Sequence, residues 1–244
     1  MEHIDKVIGT FEKTEEMAAE EREITVPEKV SRTVVSRLPR YHRYLRMLIE
    51  EGHLRTSSSE LARLMNITAS QIRQDLNCFG GFGQQGYGYN VKYLYSKIGE
   101  LLGVEEDYRT IIIGAGNLGR ALASSHMFER RGITRVAMFD KDPNVVGRTY
   151  YGLPVLHIDE LETFFLNNRV DFAIITTPRE VVQDIALRLA GLRIKGILNF
   201  ANMDLRLPYK DMVVENVHLS DPLMKFCFDL KNNEKNRTKK GKWG

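Results

Sequence analysis

Cysteine, tryptophan and long apolar runs are scarce in this chain of 244 residues. The two cysteines, Cys78 and Cys227, stand too far apart for a CxxC pair or a metal-ligand cluster. We therefore expect two reduced thiols, no metal site and no dithiol redox chemistry. So low a cysteine count also excludes a small fold held together by disulfides.

No segment has the composition of a membrane span or a secretory leader. The chain lacks a run of about 18 apolar residues, and Met1 opens an acidic, polar stretch rather than a basic segment followed by an apolar one. We expect a cytoplasmic protein without a membrane partner. Its length suits one large or two small domains, and 43% apolar residues are enough to form their cores.

The net charge of +3 conceals an uneven distribution along the chain. Residues 1–28 carry three basic and nine acidic groups, so we expect a solvated, partly disordered arm there. Between Lys29 and Asp75, nine basic groups oppose four acidic ones, a surplus that suits a polyanionic partner. Residues 232–244 are basic again with almost nothing apolar, and we expect a loose tail.

Residues 29–90 have the pattern of a winged helix-turn-helix domain. An amphipathic helix begins near Pro39, and two capping boxes, SSSE from Ser57 and TASQ from Thr68, then open two shorter helices. Two short helices joined by so brief a connection are typical of a helix-turn-helix. The following GGFGQQGYGYNV suits a tight hairpin, as in a wing laid along a DNA backbone.

The second short helix is predicted to present the side chains that read DNA. Ile72, Leu76 and Phe79 repeat at helical spacing and are expected to pack inward. Arginine pairs with guanine, glutamine or asparagine pairs with adenine, and serine binds a base or a phosphate. The candidate DNA contacts are Arg37, Arg46, Ser70, Gln71, Arg73, Gln74, Asn77 and Gln85. A helical protein-interaction domain with a Gly-rich loop is the alternative, but the basic surplus favours DNA.

A dinucleotide-binding motif occupies the middle of the chain. Tyr108 to Ile113 reads as a buried strand, and the GAGNLG that follows matches GxGxxG. In that motif Gly114 allows the tight turn, Gly116 lets the pyrophosphate approach the backbone, and Gly119 lets helix and strand pack closely. The next strand ends on Asp140, where an acid binds ribose hydroxyls and repels a 2′-phosphate. NAD(H) is therefore predicted over NADP(H).

Strands and helices alternate after this motif, which predicts a parallel sheet with its ligand at the carboxyl ends of the strands. Thr177, Pro178 and Asn199 follow two of these strands. The candidate cofactor contacts are Gly114, Ala115, Gly116, Asn117, Leu118, Gly119, Asp140, Lys141, Thr177, Pro178 and Asn199.

The residues expected of an enzyme are missing from the sequence. After the glycine motif there is no Tyr-x-x-x-Lys pair, no cysteine nucleophile after a strand and no second domain for a substrate. We therefore predict that the chain is not an enzyme, with a small NAD-dependent dehydrogenase carrying an accessory helical domain as the alternative. The last apolar segment, SDPLMKFCFDLK, predicts a helix whose apolar face requires a partner surface.

Taken together, these motifs resemble the Rex family of redox-sensing transcriptional repressors. Over residues 31 to 231 the segments LPRYHRYLRMLIEEG, SSSELARLMNITASQIRQDLNCFGGFG, GYGYNV, IIIGAGNLGRALA, FDKDPNVVG and KGILNFA have that family's order and spacing. The resemblance implies a homodimer whose winged helices bind a palindromic double-stranded DNA operator. It also implies a Rossmann domain that binds NADH or NAD⁺ and senses their ratio, with NADH releasing the DNA and no turnover of the cofactor.

The motifs and the resemblance together predict an α/β protein with five segments. They are an acidic arm at 1–28, a winged-helix DNA-binding domain at 29–90, a Rossmann-like parallel-sheet domain with its linking helix at 91–216, a C-terminal domain-swapped helix at 217–231, and a basic tail at 232–244.

Several positions depart from the family pattern. The recognition helix and wing have Gln74 and Gln85 where the family usually has basic residues. The family's tyrosine near the nicotinamide is Ser125 here, and the aspartate that alternates between that tyrosine and an arginine is His218, while the matching Arg43 is kept. Arg43, Ser125 and His218 are therefore the candidate switch residues. A rewired switch and a Rex-like DNA-binding paralogue with weak or no NADH response are both open.

Overall fold

The computed structural model describes residues 31–78, 83–84, 88–104, 106–209 and 211–240. The chain divides into two compact units, Met1–Glu105 and Glu106–Gly244. The predicted acidic arm, Gln85 and the end of the basic tail lie outside the described residues.

Short helices packed beside a small antiparallel sheet form the first unit. Its described elements are α1 (Arg32–Val35), α2 (Leu38–Glu50), β1 (Arg55–Thr56), α3 (Ser58–Met65), α4 (Ala69–Asn77), β2 (Gly83–Gln84), β3 (Gly88–Asn90) and α5 (Val91–Leu102). The strands lie in the order β1-β3-β2, and both pairs are antiparallel. Helices α3 and α4 are the predicted helix-turn-helix pair, and the β2–β3 hairpin follows them as the predicted wing.

Serine and threonine caps begin both helices of the pair, as their sequences predict. The Ser57 hydroxyl accepts a hydrogen bond from the Glu60 amide (3.1 Å), and the Thr68 hydroxyl accepts one from the Gln71 amide (3.1 Å). The side chains at the fourth position of each box take other partners. Glu60 accepts from the Thr56 hydroxyl (2.8 Å), and the Gln71 amide group donates into the core of the unit.

Helix α5 belongs to the first unit, not to the sheet domain. Val91, Leu94 and Ile98 are fully buried in the same core as the apolar residues of α2. The domain boundary predicted after residue 90 is therefore corrected to the segment beyond α5. The apolar spacing of this helix predicts that one face is buried, but that pattern carries no information about which of two cores it enters.

A twisted parallel sheet with helices on both faces forms the second unit. The described elements are β4 (Tyr108–Ile113), α6 (Asn117–Ser124), β5 (Ile133–Asp140), β6 (Thr149–Tyr150), β7 (Leu153–His157), α7 (Leu161–Asn167), β8 (Phe172–Ile175), α8 (Arg179–Gly191), β9 (Gly196–Asn199), β10 (Val213–Asn216) and α9 (Ser220–Lys240). The strand order is β10-β9-β8-β4-β5-β7-β6, and only the β6–β7 pair is antiparallel among these described strands.

The central strand β4 is buried on both faces, which explains its run of three isoleucines. Ile111 and Ile113 join the core beneath α8, and Ile112 joins the core on the α6 side. A strand with no solvent face reads as a continuous apolar run. Because the chain passes from β4 to β5 on one side and β8 lies on the other, the strand order reverses next to β4. Open α/β sheets bind their ligands in the crevice at the carboxyl ends of the strands beside such a reversal.

The C-terminal helix α9 differs in extent from the prediction. It begins at Ser220 and continues to Lys240, whereas the sequence pattern predicted a helix at 217–231 and a loose tail beyond it. The residues from 232 to the end of the helix are polar or charged, which suits contact with water. They include no glycine or proline, so none of them strongly opposes a helix. In the part of the chain that the structure describes, no helix is both long and apolar enough to cross a membrane.

Candidate functional site

Helix α4 presents a polar face to solvent, as the spacing of its apolar residues predicts. Ile72 and Leu76 are buried in the first unit, and Arg73 and Gln74 between them are exposed. The exposed candidates for DNA contact are Ser70, Arg73, Gln74 and Asn77. The Arg73 guanidinium donates to the Ser58 hydroxyl on α3 (3.0 Å), so this long side chain is held beside its helix.

The opposite side of α4 carries a buried charge that sequence reasoning missed. Asp75 is fully buried, and its Oδ2 accepts from Arg37 Nε (2.7 Å) and from the Tyr41 hydroxyl (2.9 Å). Its Oδ1 accepts from Arg37 Nη2 (2.7 Å) and from Gln71 Nε2 (2.9 Å). Burial alone raises the pKa of Asp75, but the hydrogen bonds from Arg37, Gln71 and Tyr41 outweigh burial and leave that pKa below its ordinary value.

This arrangement gives two of the predicted DNA contacts a partner inside the first unit. Arg37 and Gln71 were candidate DNA contacts, but both direct their donors at Asp75, and the Arg37 side chain is only 20% exposed. Arg46 is exposed and forms a surface ion pair with Glu50 (2.8 Å). A single sequence window cannot show that Arg37 and Asp75, 38 residues apart, meet in the core.

The loop between β4 and α6 has the geometry that its glycine motif predicts. Gly114 has φ +103°, and a Cβ there would lie 2.8 Å from Thr176 Oγ1. A Cβ at Gly119 would overlap the carbonyl oxygen of Gly114. Gly116 is different, because a Cβ built on it meets no atom within 4 Å. The loop is therefore closed on its protein side and open at Gly116, where α6 begins.

Asp140 ties the end of β5 to this loop. Its Oδ2 accepts from the Ala115 amide (2.6 Å), and its Oδ1 accepts from the amides of Lys141 (2.7 Å) and Asp142 (3.0 Å). Asp140, the side chain predicted to bind the ribose, therefore also shapes the backbone of the glycine loop. Lys141 is exposed beside it.

The strand ends on the other side of the crevice include one unpartnered hydroxyl. Thr176 Oγ1 donates to the carbonyl oxygens of Ile113 (3.1 Å) and Gly114 (3.0 Å), which joins β8 to the loop. The next hydroxyl, Thr177 Oγ1, is buried and has no hydrogen-bond partner within the described residues. Pro178 is exposed at the start of α8. A buried hydroxyl without a partner beside an open loop is suited to a polar ligand group.

Asn199, a predicted cofactor contact, has hydrogen-bond partners within the second unit. It is fully buried, and its amide nitrogen donates to the carbonyl of Met203 (2.8 Å) and to Asn216 Oδ1 (2.9 Å). Its own Oδ1 accepts from the Ala201 amide (2.9 Å). The side chain therefore closes the turn after β9 and holds β10, with no surface left for a ligand.

The three candidate switch residues lie in two different units. Arg43 is exposed on α2, with its guanidinium carbon 5.4 Å from the Tyr44 ring centre. In the second unit, Ser125 ends α6 and its hydroxyl accepts from the Met127 amide (3.3 Å). His218 lies between β10 and α9, and its Nε2 is 2.8 Å from Asp204 Oδ1. Nothing in the sequence predicts this partner for His218, which is 14 residues away.

Metal-binding residues do not cluster in the described ranges, where no group of three or more histidine, cysteine or acidic side chains could hold an ion. Cys78 and Cys227 are free thiols at exposed positions.

A helix-turn-helix unit and a parallel-sheet unit with an open GxGxxG loop define the class of nucleotide-binding transcription regulators. Two family models match the chain: the putative DNA-binding protein N-terminus over residues 29–77 and the CoA binding domain over residues 105–203. The redox-sensing transcriptional repressor Rex of Clostridium perfringens is 47% identical over 205 residues, which cover 84% of this chain and 96% of the relative.

Two solved structures have the same fold over nearly the whole chain. RSP in complex with β-NAD⁺ and operator DNA matches with a TM-score of 0.80 and 45% identity, covering 89% of this chain and all of that one. RSP in complex with β-NADH matches with a TM-score of 0.79 and 42% identity, covering 87% and 99%. The chain belongs to the Rex family of redox-sensing transcriptional repressors. The resemblance read from its motifs is confirmed, and a dehydrogenase is not the family's function.

Proposed function

We propose that this chain is a repressor that binds operator DNA through α4 and NADH or NAD⁺ through the loop between β4 and α6, and that NADH lowers its affinity for the operator. Operator DNA, NAD⁺ and NADH are bound by the RSP relatives. Because its proposed partner is operator DNA, we place the protein in the cytoplasm.

The open space at Gly116 is the observation that carries the nucleotide site. A pyrophosphate binds where the backbone amides of a helix N-terminus are unobstructed. At Gly116 no atom lies within 4 Å of the position that a Cβ would take, so a pyrophosphate can approach the backbone there. Gly116 directly precedes Asn117, the first residue of α6. The unpartnered Thr177 hydroxyl stands on the adjacent strand end and supports a polar ligand in the same crevice.

Four exposed side chains on α4 support sequence-specific DNA binding. Ser70, Arg73, Gln74 and Asn77 share one face of a helix that follows a brief turn. In a helix-turn-helix, that helix enters the major groove and its outward side chains contact base edges. Arg73 offers the charged, bidentate fork that pairs with guanine.

The exposed apolar residues of α9 support a homodimer. Leu223, Met224, Phe226, Phe228 and Leu230 are between 47% and 65% exposed. At about 100° per residue they cover roughly 200° of the helix circumference, which is wider than one packing surface requires. A second copy of the chain is the partner that also fits a palindromic operator, since two-fold sites are read by two-fold dimers.

A second candidate, a Rex-type repressor with a weakened NADH response, is favoured by the contact between His218 and Asp204. His218 lies 2.8 Å from the carboxylate of Asp204, and its imidazole cannot replace the carboxylate that would form an ion pair with Arg43. The two candidates differ only in how strongly NADH changes the affinity for DNA.

Titration calorimetry with NADH and NAD⁺ separately, followed by operator binding at several NADH/NAD⁺ ratios, tests the proposal. We expect both nucleotides to bind and NADH to weaken the operator complex. Binding of neither nucleotide would refute the assignment of the glycine loop, and binding without any effect on DNA would leave the second candidate.

A further inference from the structure

The first unit holds one buried charged side chain among its described residues, Asp75. At about 100° per residue, Asp75 lies about 160° from both Arg73 and Asn77 around α4. The buried carboxylate and the proposed reading face are therefore on opposite sides of the same helix. Any rotation of α4 about its axis would change the hydrogen bonds of Asp75 and displace the reading face together.

The hydrogen bonds to Asp75 come from α2 and its first flanking residue and from α4 itself. Arg37, immediately before α2, and Tyr41, within α2, supply three of the four, and Gln71 supplies the fourth from within α4. Each carboxylate oxygen accepts two bonds, and both Arg37 bonds measure 2.7 Å, a fork geometry that lysine could not reproduce. Gln71 turns with α4, so the three bonds from Arg37 and Tyr41 are the ones that depend on the rotation of this helix.

We propose that Asp75, held by Arg37 and Tyr41, is a positioning residue that fixes the rotation of α4 for base reading. This inference rests on the proposed function. Apolar packing is non-directional, so Ile72 and Leu76 alone would permit small rotations, whereas hydrogen bonds weaken steeply as their angles change. Base contacts have the same angular requirement, so a helix that rotates slightly loses discrimination before it loses its general attraction to DNA.

A pair of apolar substitutions separates positioning from stability. Asp75→Leu alone leaves the Arg37 guanidinium unpaired and should lower the free energy of unfolding, whereas Arg37→Met with Asp75→Leu removes both charges and should restore much of it. The net charge is the same as in wild type. If the cluster around Asp75 served stability alone, the Arg37→Met/Asp75→Leu variant would regain operator binding together with stability.

The probes are a DNA duplex selected by the wild-type homodimer from a random-sequence pool and a shuffled duplex of equal composition. We expect the Arg37→Met/Asp75→Leu variant to bind the selected duplex at least about 10-fold less well relative to the shuffled one, roughly the loss of one bidentate base contact. Its salt dependence on the shuffled duplex should match wild type, because the phosphate contacts and net charge are retained.

Lys97→Met with Glu100→Leu on α5 is the matched control. That ion pair (2.9 Å) is on the surface of the same unit, and its replacement also keeps the net charge. Discrimination should stay within about twofold of wild type, since exposed pairs contribute little. Tyr41→Phe, which deletes one of the four bonds and keeps the ring, should lower discrimination about 2- to 5-fold by losing one directional contact.

Wild-type discrimination in both the apolar double variant and Tyr41→Phe would overturn the positioning role. Should the double variant fail to fold, Tyr41→Phe alone decides between the same two outcomes. A wild-type protein that selects no duplex would overturn the proposed DNA binding itself, and with it the role of Asp75.

Discussion

Gly119 packs so closely on Gly114 that a Cβ at position 119 would overlap the Gly114 carbonyl oxygen, while Gly116, three residues earlier, faces open space. The two glycines of one motif thus serve different ends.

Gly116→Val should abolish NADH binding and leave both units folded, because the new side chain enters only the open space proposed for the pyrophosphate. Gly119→Ala should instead destabilise the second unit by forcing α6 away from β4. Calorimetry measures the first effect and thermal unfolding by circular dichroism the second. NADH binding by a folded Gly116→Val protein would contradict the assigned site.

Asp140→Ala should weaken NADH binding by about 1–3 kcal/mol, the cost of losing hydrogen bonds to a charged acceptor. The loss has two sources, the proposed ribose contact and the hydrogen bond that the Ala115 amide donates to Asp140 (2.6 Å), which shapes the loop. The preference for NADH over NADPH should narrow. Calorimetry with both nucleotides checks this, and an unchanged preference would assign discrimination to another residue.

Arg73→Ala should lower operator affinity by about 1–3 kcal/mol relative to shuffled DNA, since a bidentate pairing with guanine is lost. Ser58→Ala, which removes the 3.0 Å partner of Arg73 and keeps its charge, should have a smaller effect. Competition binding with selected and shuffled duplexes measures both. Equal affinity of wild type and Arg73→Ala for the selected duplex would show that Arg73 does not read bases.

The stability of α4 should depend on pH through Asp75. Its pKa is lower in the folded chain than the ordinary 3.8, so the carboxylate contributes stability above that value and loses the contribution as pH falls from about 3.8 toward the folded pKa. Hydrogen exchange of the 69–77 segment between pH 7 and pH 2.5 reports this unit alone. The Arg37→Met/Asp75→Leu variant should lack that additional acid sensitivity, and an identical profile would contradict the prediction.

Ser125→Tyr with His218→Asp should sharpen the release of DNA by NADH more than either change alone. The double variant restores the family's tyrosine and aspartate while Arg43 is still present, and one charge-assisted hydrogen bond of about 1.5–3 kcal/mol corresponds to roughly 10-fold or more in the effect of NADH. Asp204 lies 2.8 Å from His218 in wild type, so its carboxylate would repel an aspartate at position 218. Adding Asp204→Asn to the double variant removes that carboxylate. Operator affinity against the NADH/NAD⁺ ratio measures the response. Strong release by wild type with no gain in the double variant would show that other residues form the switch.

Local patterns in the sequence were enough for most of the fold. The caps at Ser57 and Thr68 and the buried strand before Gly114 depend on neighbours a few residues away, and the structure confirms them. The partners of Arg37 and His218 were beyond such reasoning, because each pairs with a residue brought near only by tertiary folding. The partners of Asn199 were missed for a related reason, because the end of a strand is where ligands bind but also where turns need capping.

The apolar arc of α9 also bears on how the amount of protein sets the strength of repression. In the proposed homodimer a second copy covers that arc, and the fraction of paired chains depends on concentration by mass action. Well below the dissociation constant of the pair, the concentration of dimers rises with the square of the concentration of chains. Operator occupancy would then rise more steeply than expression, which gives a cell with few copies a threshold rather than a proportional response.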